Sequence, residues 1–196
     1  VLAWHWGPAL LGFGFSQLED ELGDERYREW LLRYCDFYVG HPPVIESADT
    51  AAPGLITYEM TKKTGDRYYE ALTDQVVTYV REAPRLVGDA VNHLGTAFSS
   101  HIYPKSVWVD SLMMFSVFPA RYGREQGDAA LIDLAARLPR QYADLLQGEE
   151  GLWAHSYWTP TRFRRGRAFP GGGLYWGRGN GWVVTALPMI LDAIGR

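Results

Sequence analysis

The feature that most constrains this chain is a recurring Gly-Asp step set between apolar-periodic segments. Leu22-Gly23-Asp24-Glu25-Arg26-Tyr27 returns as Thr64-Gly65-Asp66-Arg67-Tyr68-Tyr69, and more loosely as Gln126-Gly127-Asp128-Ala129-Ala130-Leu131. Gly suits the left-handed residue that ends a helix, and Asp the N-cap that opens the next one. Each step therefore predicts a tight helical hairpin, and repetition at intervals of tens of residues predicts an all-α repeat architecture. The expected helices are Trp4–Glu21, Glu25–Tyr38, Ala51–Lys63, Arg67–Glu82, Val107–Tyr122, Ala129–Leu146 and Gly181–Ile194. The odd-numbered ones are the more apolar. The even ones are amphipathic, as where Arg26, Arg28, Glu29 and Arg33 alternate with Trp30, Leu31 and Tyr34. Apolar helices inside and amphipathic helices outside describe an (α/α) toroid of hairpins. Gly12 and Gly14 lie inside the first helix, where each costs roughly 1 kcal/mol against Ala, so they are expected to permit close packing or substrate approach.

A chain of 196 residues, 47% hydrophobic and 21% charged, is globular and long enough for a single domain over 1–196 with a real core. The net charge of −4 gives no basis for nucleic-acid binding. Cys35 stands alone, which excludes an internal disulfide and a multi-cysteine metal site; no His/Asp/Glu spacing suggests a metal, and no cofactor is expected. Apolar runs fall far short of the roughly 20 residues that span a bilayer, so no membrane partner is expected. The chain starts at Val1, so no leader can be read, and the default expectation is a cytoplasmic protein. Eight Trp and twelve Tyr exceed what a core of this size requires, and aromatic-rich clefts suit the apolar faces of sugars.

Asp110 is the carboxylate that calls for a reason. It lies among Val107, Trp108, Val109, Leu112, Met113 and Met114, with no Lys or Arg nearer than Lys105. It is either an acid favoured by a helix dipole or a proton donor whose pKa burial raises. Long connections over 39–50, 83–106 and 147–180 separate the hairpins, and such loops tend to be functional. Because consecutive helices alternate in direction, every odd helix begins on one face of the toroid. Trp4, His5 and Trp6, Asp49 and Thr50, Trp108 and Asp110, and Trp176, Arg178 and Asn180 are thereby expected at one mouth.

Trp108-Val109-Asp110-Ser111-Leu112-Met113-Met114, Gly151-Leu152-Trp153-Ala154-His155 and Tyr175-Trp176-Gly177-Arg178-Gly179-Asn180-Gly181-Trp182 carry a family resemblance. In that order they resemble the unsaturated glucuronyl and rhamnogalacturonyl hydrolases of glycoside hydrolase families 88 and 105, family 105 more closely. The resemblance implies a six-hairpin (α/α) toroid, of which about seven of the twelve helices are visible here, as in a chain truncated at its C-terminus. The apolar sides of Trp4–Leu18 and Trp182–Ile194 would then lie open, and self-association through that edge is expected.

The implied reaction removes a 4,5-unsaturated uronic acid left by a polysaccharide lyase at the non-reducing end of a pectin- or rhamnogalacturonan-type oligosaccharide. A carboxylic acid protonates the vinyl ether at C4, water adds at C5, and the hemiketal opens to release the sugar. Asp110 matches the general acid/base. Asp49 looks like the second aspartate, and equally like an N-cap. Arg178 fits a bidentate grip on the uronate, or a surface salt bridge. His155 fits the histidine of the Gly-Leu-Trp-x-His turn, while His101 matches a histidine in a slightly different register. Met114 and Asn180 join the substrate-contact set with the motifs that hold them. Trp4, Trp6, Trp108 and Trp176 are sugar-stacking walls or core. His5, His41 and His93 read as ordinary loop or helix residues. Arg162, Arg164, Arg165 and Arg167 depart from the family pattern: they form a basic lid before Pro170-Gly171-Gly172-Gly173, or a solvated loop. Two other classes stay open, another toroid enzyme such as an epimerase or mannanase-like hydrolase, and a non-catalytic oligosaccharide-binding domain.

Overall fold

The computed structural model describes residues 2–23 and 25–195. Its helices are α1 (Trp6–Leu22), α2 (Arg28–Gly40), the short α3 (Ala48–Ala51), α4 (Gly54–Thr64), α5 (Arg67–Glu82), α6 (Val117–Gln126), α7 (Ala129–Leu146) and α8 (Gly177–Ile194). Five short strands lie in the connections: β1 (Arg85–Val87), β2 (Ala90–Val91), β3 (Ser106–Trp108), β4 (Ser156–Trp158) and β5 (Arg167–Phe169). The helical hairpins reverse at the Gly-Asp steps. Gly23, Gly65 and Gly127 close α1, α4 and α6 at φ of 63, 70 and 67°, in the region where a Cβ is penalised. Asp128 caps α7 by accepting from the amides of Ala130 and Leu131, and Asp66 accepts from the Tyr68 amide at 2.7 Å. Asp24, the partner in the first step, lies outside the described residues.

The chain forms two compact units. The first comprises 1–45 and 50–82, the second 46–49 and 83–196. In the first unit α4 is buried on all sides from Gly54 to Met60, whereas α5 buries only Tyr69, Leu72, Thr73, Val76, Val77 and Val80. That is the inner/outer contrast expected of the third and fourth helices. Gly12 of α1 does permit close packing, since a Cβ there would come within 2.5 Å of Ile56 and 2.8 Å of Trp30; Gly14 faces open space. Trp4 is buried here too, edge-on to Tyr38 at 4.8 Å, with its indole N–H donated to the Thr50 carbonyl at 2.7 Å.

In the second unit the amphipathic α7 packs on α6, and α6 on α8. The segment expected as one helix over Val107–Tyr122 is three things. Ser106–Trp108 is a strand, Leu112–Ser116 is a widened π-helical turn, and the α-helix begins only at Val117. β3, β4 and β5 form one antiparallel sheet, with Ser106 opposite Trp158 and Trp158 opposite Arg167. A three-residue strand is too short to show an alternating pattern, so the apolar run around it reads as helix. Among the described residues no helix is long and apolar enough to cross a membrane.

Candidate active site

Asp110 lies between β3 and the π-helical turn, and its carbonyl accepts from the amides of Met113 at 3.0 Å and Met114 at 2.9 Å. It therefore heads a helical segment, where the dipole favours its charge. Its side chain is deep, with the residue 8% exposed. Carboxylate oxygen Oδ2 is 3.4 Å from His155 Nε2, yet neither atom has an aligned hydrogen bond within the protein. Buried polar groups of that kind are rare, and each needs an explanation. Two buried atoms, an acid oxygen and a ring nitrogen, thus face each other at ion-pair distance, with no other partner aligned on either.

His93 organises the other side of the site. It is 2% exposed, and its ring is held at both nitrogens: Nδ1 lies 2.8 Å from Ser111 Oγ, and Nε2 lies 3.2 Å from Asp49 Oδ1. Its backbone is tied as well. The His93 amide donates to the Ser106 carbonyl at 3.0 Å, and its carbonyl accepts from the Ala48 amide at 2.9 Å. Asp49, in α3, is thereby joined to the residue next to Asp110. Read from sequence as an ordinary residue, His93 is the connecting member of the site. No local motif surrounds it; its role arises from three segments far apart in the chain.

The rings form a continuous series. His93 stacks on Trp108 at 4.5 Å and 9°, and Trp108 meets His155 edge-on at 4.8 Å. His155 lies 4.7 Å from Trp176, and the Arg178 guanidinium sits 4.0 Å over the Trp176 ring. Trp108 is further fixed by donating its indole N–H to Ser106 Oγ at 2.7 Å. Burial pushes the Asp110 carboxyl up, but His155 and His93 outweigh it and hold the acid below the usual carboxylate value. Of the two readings of Asp110, the burial that would raise its pKa is present and is the largest single influence, yet the net direction is downward. Histidines, invisible in the local window, dominate over the apolar shell.

Asp49, Trp108, Asp110, His155, Trp176 and Arg178 are accordingly joined through neighbouring contacts in the second unit. Three expected residues take other places in this unit, and a fourth, Trp4, lies in the first. Asn180 commits its amide to backbone, accepting from the Trp153 amide at 2.9 Å and donating to the carbonyls of Trp153 at 3.0 Å and Trp176 at 3.2 Å. It positions the turn that carries His155. Met114 is 2% exposed and belongs to the core. His101 ends an exposed 3-10 turn over Phe98–His101 and makes no contact with the Asp110 cluster. Trp4 belongs to the buried aromatic group of the first unit. The two glycines of Arg178-Gly179-Asn180-Gly181 differ in purpose. A Cβ on Gly179 would lie 2.8 Å from Val109 and 3.0 Å from Trp176, so only Gly lets α8 approach the strand end next to Asp110; Gly181 meets nothing.

The sequence profile of Glycosyl Hydrolase Family 88 matches residues 1–196. The chain belongs to that family. Among curated relatives, it is 27% identical to the unsaturated rhamnogalacturonyl hydrolase YesR of Bacillus subtilis (strain 168), over 96% of this chain and 54% of that protein. Its fold matches a possible GH105 member from Klebsiella pneumoniae subsp. pneumoniae MGH 78578, at TM-score 0.86 and 22% identity, covering 99% of this chain and 49% of the other. A family 105 glycoside hydrolase from C. acetobutylicum ATCC 824 matches at TM-score 0.81 and 23% identity, over 97% and 54%. The fold class is therefore the all-α, (α/α)-hairpin class of these glycosidases, and the chain spans about half the length of the family 88 and 105 relatives it matches.

Proposed function

We propose that this site removes a 4,5-unsaturated uronic acid from the non-reducing end of lyase-generated oligosaccharides of the rhamnogalacturonan or pectin type. The observation that carries the reading is the pair of buried, unaligned atoms, Asp110 Oδ2 and His155 Nε2, at the centre of an aromatic and cationic surround. One acid suffices for this chemistry, because the bond attacked is a vinyl ether and no second carboxylate at a fixed separation is required. Asp110 delivers a proton to C4, water adds its hydroxyl at C5 and gives its remaining proton back to the Asp110 carboxylate, and the resulting hemiketal opens with release of the sugar. Trp108 and Trp176 offer ring faces to the sugar, and Arg178 offers its guanidinium to the uronate carboxylate.

The resting Asp110 is ionised near neutral pH, since its pKa is held low. A second carboxylate, that of the substrate, raises the affinity of Asp110 for a proton when it arrives nearby. The acid is therefore loaded as substrate binds, with His155 beside it as the proton relay. The test is dependence on the double bond. Unsaturated uronyl disaccharides should lose their ultraviolet absorbance while saturated counterparts stay intact, and in heavy water deuterium should appear at C4. Asp110→Asn should lower kcat by about 100- to 10,000-fold with binding retained. Cleavage of the saturated disaccharide at a comparable rate would instead indicate an ordinary toroid glycosidase, and binding without turnover of either a sugar-binding domain.

A further inference from the structure

The β4–β5 hairpin carries Arg162, Arg164 and Arg165 in its loop and Arg167 at the start of β5, four of the chain's 19 basic residues, in a protein of net charge −4. No carboxylate pairs with any of the four among the described residues. The loop is built rather than loose. The Thr159 amide and hydroxyl both donate to the Lys105 carbonyl, at 3.1 and 3.0 Å, and the backbones of Thr161 and Arg164 exchange two hydrogen bonds. Gly166 seals it, because a Cβ there would lie 2.0 Å from the Tyr157 hydroxyl. Three of the four, Arg164, Arg165 and Arg167, line a cavity of about 330 Å³ together with Trp158, Thr161 and Phe163. Phe163 at its rim is 86% exposed.

The sheet register ties this cavity to the site. Residues directly opposite across strands share a face, and the face repeats every second residue. Trp108 and Phe169 both pair with Ser156, and Ser106 and Arg167 both pair with Trp158, so these six lie on one face. That face starts at Trp108, within the series of rings around Asp110, and continues to Trp158 stacked on Phe169 at 4.3 Å, with the Arg167 guanidinium 5.3 Å over Trp158. From His155 to Trp158 the strand advances about 10 Å. Rings along a track suit sugar faces, and unpaired guanidinium groups at its end suit acid groups on those sugars.

We infer that the β4–β5 hairpin is a second saccharide subsite, one that recognises an acidic sugar, carboxylated or sulfated, on the leaving-group side of the scissile bond. The assignment rests on the function proposed above and adds to it the charge of the sugar that follows the unsaturated residue. Titration calorimetry with saturated trigalacturonate and with its methyl ester tests it, since neither needs the double bond. The acid trimer should bind about tenfold or more tighter than the ester, with a preference that shrinks at high salt. In Arg164→Gln/Arg165→Gln, two exposed loop substitutions, that ratio should fall toward one; a Trp158→Ala variant should weaken acid and ester trimers alike. A ratio unchanged by the Gln pair overturns the inference, as does tighter binding of inorganic polyphosphate or of a single-stranded oligonucleotide than of the acid trimer. Failure to turn over unsaturated disaccharides, with the acid preference intact, removes the proposed reaction and leaves the subsite standing.

Discussion

An acid held in its charged form by two histidines leaves a signature in stability as well as in rate. Asp110 has a folded pKa below its ordinary value of 3.8, so the ionised form favours the fold. That contribution is fully present above the ordinary value and is lost as pH falls through the lower, folded one. The stability advantage of wild type over Asp110→Asn should therefore be larger at pH 6 than at pH 3; urea midpoints at the two pH values measure it, and an advantage that grows on acidification would contradict the histidine-held carboxylate. The same shift predicts proton uptake on binding. Calorimetry of an unsaturated uronate with Asp110→Asn at neutral pH, compared in buffers of different ionisation enthalpy, should show uptake of up to about one proton lost with the substitution. At this scale the sequence points to Asp110 and His155 as candidates because short motifs surround them, and the structure places the two 3.4 Å apart. The sequence does not point to His93, whose partners Asp49 and Ser111 lie 44 residues before and 18 after it. The direction of the acid's pKa stays open in the sequence for the same reason: an apolar window shows desolvation, while histidines brought from afar are not in the window.

Two backbone devices hold those residues in place, and each makes a prediction at the scale of the element. Gly95 has φ of +53°, and a Cβ there would stand 1.7 Å from the Glu46 carbonyl, which accepts from the Thr96 amide at 2.8 Å. Gly95→Ala should cost more than the roughly 1–2 kcal/mol of the left-handed conformation alone, because the 46–49 segment carrying Asp49 must move; activity should fall with the urea midpoint. Asn180 clasps the Trp153 backbone from both sides, so Asn180→Ala should destabilise by about 1–3 kcal/mol and depress kcat through misplaced His155. Asn180→Asp should be no better than Ala, since a carboxylate would face the carbonyls of Trp153 and Trp176; rescue by Asp would show that the clasp is not what matters. Elements were legible where their signals were long or stereochemically strict. α5 and α7 fall on the expected residues, Arg67–Glu82 and Ala129–Leu146, because sixteen and eighteen residues of amphipathic pattern each lead from a Gly-Asp step. β3 and the π-helical turn were hidden, since β3 is set by pairing with β4 and all five residues of the turn are buried, which leaves no periodic pattern to read.

At the scale of the whole molecule, the faces left uncovered decide how the chain behaves in solution. On α1 the exposed Leu11, Leu18 and Leu22 recur at i, i+7 and i+11, so they lie in one stripe; on α8 the exposed Val184 and Leu191 stand at i and i+7. Isolated exposed apolar residues are ordinary, but a stripe at helical spacing has the form of a helix–helix seam. A net charge of −4 on 196 residues gives only modest repulsion between copies. A second copy of this chain offers the same stripes, and a symmetric pair formed through either one places that stripe against its equivalent. Expressed as it stands, the protein should therefore scatter light as a species heavier than its 22.2 kDa mass, with the proportion rising with concentration. Leu18→Glu combined with Leu191→Glu should shift it to monomer while far-ultraviolet dichroism stays unchanged, because both side chains lie outside the cores of their units. A monodisperse monomer for the unsubstituted chain at high concentration would remove the seam, since a stable dimer interface of about 1,000 Å² or more does not stay open at such concentrations.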